Sequence, residues 1–104
     1  MKSPRSSGKP RRLNIFLIRR IVGESMTPKL LPGQLIIGFG LVRKPKLFDI
    51  VIIRHGGIEK IKRLTKRDGD KVYVLGDNPS DSTDSRNFGW LDSSDVIAKV
   101  IWPR

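Results

Sequence analysis

Three stretches carry residue types that can do chemistry in concert. Gly23-Glu24-Ser25-Met26-Thr27-Pro28 sets a serine on a turn entered by glycine and closed by proline. Lys62-Arg63 follows at a distance, and then a dense polar loop, Gly76-Asp77-Asn78-Pro79-Ser80-Asp81-Ser82-Thr83-Asp84-Ser85-Arg86. In that order the pieces read as a serine nucleophile, a lysine base and the loop that holds the lysine. A serine hydroxyl is a weak nucleophile until a neighbouring base takes its proton. Histidine is the usual base, but the single histidine, His55, precedes Gly56-Gly57 in what reads as an exposed hairpin tip. A lysine can substitute when it is neutral, which burial and nearby positive charge favour by lowering its pKa. Lys62 lies between Ile61 and Leu64, with Lys60 and Arg63 close in sequence. Strand alternation around it is imperfect, so the pattern does not fix which way it points. Taken singly, each piece has a plainer meaning: a turn serine, one charge of a solvated face, a polar turn. The loop does not follow the spacing of an EF-hand calcium loop, and Arg86 would oppose a cation.

The elements that must position these residues are short. At 104 residues the chain has room for one domain with one modest core. The absence of cysteine excludes a thiol nucleophile, a disulfide framework and cysteine-ligated zinc. Residues 1–12 read as a disordered tail, followed by a single domain over 13–104. The formal charge is +11, and five of the basic residues (Lys2, Arg5, Lys9, Arg11 and Arg12) fall in the tail. Sixteen basic against ten acidic residues remain, leaving about +6. A basic tail of this kind suits either contact with anionic lipid or nucleic acid, or simple solubility. The longest apolar stretch, Leu13 to Val22, is broken by Asn14 and Arg19-Arg20, and is too short for a transmembrane helix. The same basic pair, with no small-residue cleavage site after it, argues against a secretory signal peptide. The expected location is therefore soluble or peripheral to a membrane.

Along the chain, β-branched and apolar runs predict strands over 13–22, 34–39, 49–54, 58–64, 71–75 and 96–102. Thr27 is placed to cap a single helical turn, with Pro28 at its first position and Pro32-Gly33 ending it. His55-Gly56-Gly57 supplies a hairpin turn, and Asp68-Gly69-Asp70 marks another. Short strands separated by Gly and Pro turns predict an all-β fold, a small sandwich or barrel.

The ordered set resembles the type I signal peptidases, Ser/Lys serine proteases that remove leader peptides from exported proteins. Gly23–Pro28 followed by Leu31-Pro32-Gly33-Gln34 is similar to the nucleophile box of that family. Phe48-Asp49-Ile50-Val51 is similar to its Gly-Asp-Ile-Val strand, with Phe48 in place of glycine. Lys62-Arg63 with Asp68-Gly69-Asp70 resembles the general-base box, without the usual proline before Gly-Asp. Gly76-Asp77-Asn78 through Asp84-Ser85-Arg86, then Phe88-Gly89, resembles its most diagnostic segment. The resemblance implies a signal-peptidase-like fold, Ser25 as nucleophile and Lys62 as general base. It implies Ser82 as the residue that orients the lysine amine, and Asp84 with Arg86 as an ion pair bracing the loop. It also implies the backbone N–H of Ser25 as an oxyanion donor. Some members carry a hydroxyl two residues before the nucleophile; Gly23 stands there, so only backbone or another donor can act. The closeness of Lys62 to Gly76, with no membrane anchor expected, is similar to minimal members such as the maturation proteases of nickel-containing superoxide dismutase.

The reading is a small all-β Ser/Lys endopeptidase that cleaves a preprotein leader or a propeptide through an acyl-enzyme, with no cofactor and no metal. Peripheral contact with an anionic membrane is expected through the basic tail, Arg19-Arg20, Met26, Leu30, Leu31, Phe39 and Leu41. A self-cleaving repressor-like Ser/Lys protease is a close rival, opposed by the 76–86 loop and the lack of an upstream DNA-binding domain. A basic nucleic-acid-binding β-barrel is a rival of another class. It is opposed by the seven aromatic residues, none of which interleaves with the basic clusters as a stacking platform requires. No specific nucleic-acid partner is expected.

Overall fold

The computed structural model describes residues 16–40 and 44–104. The expected tail, the first three residues of the expected first strand (13–15) and Leu41 lie outside the described residues. The fold is all-β. Among the described residues seven strands, β1 (Phe16–Arg20), β2 (Leu35–Phe39), β3 (Ile50–His55), β4 (Ile58–Asp68), β5 (Lys71–Leu75), β6 (Leu91–Asp92) and β7 (Val96–Trp102), form one sheet in the order β1-β2-β7-β3-β4-β5-β6. Every pairing is antiparallel. The C-terminal strand β7 enters between β2 and β3, so the two halves of the chain are joined by its pairing.

The sequence of β3 explains the core. Ile50, Val51, Ile52 and Ile53 are all buried, and alternate residues of a strand face opposite sides. Ile50 and Ile52 pack with Ile21, Met26, Leu30, Ile36, Ala98 and Val100, whereas Val51 and Ile53 pack with Leu64, Val72, Val74 and Leu91. A strand covered on both faces needs a continuous apolar run rather than alternation, which is what this segment has. Each of these side chains contributes about 1.5–3 kcal/mol by burial.

The β3–β4 hairpin turns on Gly56 and Gly57, at φ 60° and 79°, flanked by the pair His55↔Ile58. Two consecutive positive φ values are the requirement of the type I′ turn that matches the twist of its strands.

Several elements differ from the sequence expectations. The first strand ends at Arg20, and the chain then turns so that Ile21 is buried while Val22 is 89% exposed. Around 27–33 no regular helix forms. Leu30 N donates to Met26 O at 2.9 Å, a single helical turn, and the Thr27 hydroxyl donates back to Glu24 O at 2.9 Å instead of capping forward. β4 runs on to Asp68, because Lys66, Arg67 and Asp68 find partners in β5. The polar loop contains a short helix, α1 (Ser85–Phe88), and the two-residue strand β6 follows it.

Candidate active site

Lys62 sits on β4 opposite Val51 of β3, two residues before Leu64. Positions two apart share a strand face, so the lysine stem follows Leu64 toward the cluster around Val51 and Val74. The side chain is 4% exposed. Burial holds its amine below the ordinary lysine value; the negative charge of Asp84 opposes this, and the positive charges of Lys60 and Arg86 reinforce it. The second cation was expected to be Arg63. Arg63, one residue along, faces the other way. Its guanidinium donates to both oxygens of Asp77, at 2.8 and 2.7 Å, and to Phe48 O at 2.7 Å.

The amine of Lys62 donates to Ser82 Oγ at 3.0 Å, and Ser82 Oγ donates to Asp84 Oδ2 at 2.6 Å. Asp84 is fully buried and saturated with donors. Its Oδ2 also accepts from Gly76 N at 2.8 Å and from Arg86 Nη2 at 2.7 Å, and its Oδ1 accepts from Arg86 N and Nε at 3.1 and 3.0 Å. Burial alone would raise this carboxyl. The Arg86 guanidinium, the Gly76 N–H, the Ser82 hydroxyl and the Arg86 N–H outweigh it and keep the group well below the usual carboxylate range. An ionised carboxylate accepts only, so the Ser82 proton is committed to Asp84 and Ser82 meets the lysine as an acceptor. A neutral Lys62 therefore keeps its lone pair off Ser82 and free for another partner.

The local sequence builds this loop. Asp84 is the N-cap of α1, and its side chain accepts from the backbone while Asn87 Oδ1 accepts from Asp84 N at 3.1 Å, a reciprocal capping box. The Ser85 hydroxyl accepts from Val74 N at 2.9 Å, pinning the loop to β5.

Ser25 lines the same cleft as Lys62, a cavity of about 370 Å³ between residues 19–26 and 58–62, with Asp81 and Thr83 at its rim. The Ser25 carbonyl accepts from Asn78 N at 2.8 Å, and the Asn78 side-chain amide donates to Glu24 O and Thr27 Oγ1 at 3.2 and 3.0 Å. The polar loop thus clamps the serine turn as well as the lysine. Gly76 is where the two meet. A Cβ built there would overlap Ser82 Oγ and lie 2.6 Å from Ser82 Cβ and 2.8 Å from Ser25 O. Gly23, exposed at φ 82°, also lines the cleft.

Of the expected site residues, Lys62, Ser82, Asp84 and Arg86 form one hydrogen-bonded chain, and Ser25 and Gly23 share the cleft with Lys62. His55 is elsewhere, with its ring stacked on Phe88 at 4.1 Å. Two of the residues expected at a membrane, Met26 and Leu30, are core, at 1% and 0% exposure. The sequence reading assigned no individual role to Gly76, Asp77 or Asn78. The signal for them was the order Gly-Asp-Asn at the start of the loop: a residue without a side chain, then a carboxylate and an amide ready to bond across it.

Among the described residues no group of three or more His, Cys, Asp and Glu side chains gathers to hold a metal ion. No helix of the described residues is long and apolar enough to cross a membrane.

Comparison with known proteins bears on residues in this loop. A family model described as "Signal peptidase, peptidase S26" matches residues 67–103. Over 63 residues the sequence is 33% identical to a signal peptidase I of Bacillus caldolyticus, a match covering 58% of this chain and 35% of that protein. Over these residues the chain is similar to the type I signal peptidases. Within the signal peptidase match lie Ser82, Asp84 and Arg86, while Ser25 and Lys62 precede residue 67. The aligned part spans about a third of the length of the curated signal peptidase I.

Proposed function

We propose that this chain is a serine endopeptidase that removes a leader peptide or propeptide through a Ser25–Lys62 dyad. The observation that carries the reading is a buried lysine, its amine hydrogen-bonded to Ser82 and its charge disfavoured, in one cleft with a serine on a tight turn. Lys62 takes the Ser25 hydroxyl proton as Oγ attacks the scissile carbonyl carbon. The developing negative charge on the carbonyl oxygen is met by the Ser25 backbone N–H. Collapse breaks the C–N bond, and the leaving amine takes the proton from Lys62. Water, giving a proton to the again neutral lysine, then attacks the ester carbonyl; the C–Oγ bond breaks, Ser25 Oγ takes the proton back from Lys62, and the acyl product leaves as a carboxylic acid. Ser82 and Asp84 position the lysine amine. Gly23 offers no hydroxyl, so the oxyanion is met by backbone.

The sheet also offers the substrate a binding mode. β5 pairs with β4 only over Arg63–Asp68, so Ile58–Lys62 is paired with β3 on one edge and faces the cleft with the other. An extended peptide can add to that edge by main-chain hydrogen bonds, which suits a protease acting on unfolded leaders.

The decisive experiment incubates the protein with exported preproteins and locates new N-termini by mass spectrometry. Ser25→Ala and Lys62→Ala are each expected to lose nearly all cleavage, and the double variant to be hardly worse, since the two act as a unit. Substantial cleavage by either single variant refutes the dyad.

A peripheral membrane contact is part of the same proposal, on a surface that keeps Phe39 and Arg20 of the expected set but not the buried Met26 and Leu30. Phe16 and Ile18 of β1, Leu35 of β2 and Trp102 of β7 are 43–63% exposed, and the register places them on one face with Phe39 and Arg20. Apolar side chains with flanking cations suit shallow insertion into an anionic interface. Flotation with anionic vesicles is expected at low salt; its absence refutes the contact.

A further inference from the structure

A second lysine, Lys60, stands two residues before Lys62 on β4 and lines the same cleft. The register pairs Lys60 with Ile53 and Lys62 with Val51, so both side chains leave the same face of the strand. Two residues of a strand span about 7 Å. The dyad chemistry uses Lys62 and leaves Lys60 without a task. A solvated surface charge would explain Lys60 equally well if it were fully exposed, but it is half-buried.

The other charges around the cleft are answered by partners or by water. Arg19 donates to both oxygens of Glu59, at 2.7 and 3.0 Å, and Arg54 donates to the same carboxylate at 3.2 Å. Arg20 donates to Gly33 O at 2.6 Å. On the loop that covers Lys62, Arg86 holds Asp84 by two bonds of 3.0 and 2.7 Å, so the nearest anion carries its own cation. His55, on the same sheet face beyond Ile53, is stacked on Phe88. Glu24 and Asp81 line the cleft but are exposed to water. Among the described residues no ion pair joins Lys60 to a carboxylate. With Asp84 and Arg86 offsetting each other, Lys60 is the uncompensated charge beside Lys62 on the strand. Its charge opposes a proton on Lys62, in the same direction as burial. Of the two amines Lys60 has the greater access to water, which favours its ammonium over that of Lys62.

Resting on the peptidase reading above, we propose that Lys60 keeps Lys62 neutral by like-charge repulsion, and that a peptide filling the cleft strengthens the repulsion by displacing the water between them. A second cation beside a lysine is one of the ways an amine is made reactive near neutral pH. Lys60 touches no reacting atom and forms no bond to substrate in the reaction; it is a positioning residue that acts on where the proton sits. Even in bulk water, two unit charges about 7 Å apart alter a protonation equilibrium about threefold, and at the effective dielectric near a protein surface by about tenfold or more. The base is therefore more fully neutral in the complex with substrate than in the free protein.

The test is a charge series at residue 60: Lys60→Arg keeps the charge, Lys60→Gln removes it and Lys60→Glu reverses it. Lysine side-chain carbon NMR follows the titration of Lys62, with Lys62→Arg identifying its signal. The Lys62 midpoint is expected to stay put in Lys60→Arg, rise in Lys60→Gln and rise further in Lys60→Glu. Below the midpoint kcat/KM should fall about threefold or more in Lys60→Gln, with the wild-type rate regained at higher pH. A loss caused by damaged packing would persist at every pH. The profile of kcat reports the substrate complex and that of kcat/KM the free protein. The kcat midpoint is therefore expected at lower pH, by a gap that narrows in Lys60→Gln. A Lys62 midpoint equal in Lys60→Gln and wild type, or shifted as far by Lys60→Arg as by Lys60→Gln, overturns the role of Lys60. A gap of the same size in Lys60→Gln overturns the strengthening by substrate. The expected order of midpoints in a protein that cleaves no preprotein would instead refute the peptidase reading and leave the repulsion between the two lysines standing.

Discussion

Replacing Gly76 with alanine is the sharpest test of the way the polar loop joins the serine turn. The φ of this glycine is not in the left-handed region, so the change introduces no backbone strain and acts through space alone. The new methyl would overlap Ser82 Oγ and lie 2.6 Å from Ser82 Cβ and 2.8 Å from Ser25 O. Carbon atoms in contact prefer about 3.5–4.0 Å, so Ser82 must retreat by roughly 1 Å from its Cβ contact alone. The retreat loosens the 3.0 Å bond from Lys62 or the 2.6 Å bond to Asp84, and the pressure on Ser25 O widens the serine turn. Misplacement on this scale costs about 10²-fold in rate, so kcat/KM is expected to fall by about two orders of magnitude. Overpacking costs about 1–3 kcal/mol of stability, a Tm loss of about 4–20 °C for a domain of this size. Gly57→Ala is the control: its φ is 79° and nothing lies within 4 Å of its Cβ, so it should lose stability through strain while cleavage is retained. Preprotein cleavage assayed well below both Tm values separates the two effects. A Gly76→Ala protein with the wild-type kcat/KM would show that the spacing of Ser25 and Ser82 does not govern catalysis.

Two further outcomes follow from single residues. The depressed pKa of Lys62 means that, between its folded value and the ordinary 10.5, the unfolded chain binds more protons than the folded one. Stability therefore rises with pH across that window, and cleavage rises with the neutral fraction of the amine; a pH–rate profile of kcat/KM that is flat or higher in acid would refute a lysine base. Phe48 holds φ 74° while its side chain is 63% exposed, so Phe48→Gly removes about 1–2 kcal/mol of backbone strain against about 0.5–1 kcal/mol of lost chain stiffness. A thermal melt should show Tm a few degrees higher, and an unchanged or lower Tm would mean that the exposed ring stabilises the fold by a comparable amount.

What could be read from the sequence and what could not divide along physical lines. Strands were legible where local composition decides them: Ile50–Ile53 is an unbroken apolar run, and Gly56-Gly57 supplies the two positive φ values that a tight hairpin needs. Phe48 shows the limit of that logic. A left-handed backbone is imposed there by bonds to distant residues, Phe48 N to Leu64 O at 2.6 Å and Arg63 Nη1 to Phe48 O at 2.7 Å, and nothing in the side chain announces it. The direction of Lys62 was undetermined for a related reason. Ile61 and Leu64 are three apart, so they face opposite sides of β4, and local pattern cannot say which face is covered at residue 62. Coverage comes from the 76–86 loop, whose own conformation depends on Asp84 being buried and ionised at once. That combination needs five donors from Gly76, Ser82 and Arg86, of which two are backbone N–H groups that no residue type encodes. The same fact assigns the cations differently from sequence proximity. Arg63, adjacent to Lys62, spends its charge on Asp77 across the strand, while Arg86, twenty-four residues away, is brought into the field of the lysine by its bond to Asp84. Chain neighbours on a strand point apart, so the charges that tune a strand residue come from across the sheet or from a loop folded over it.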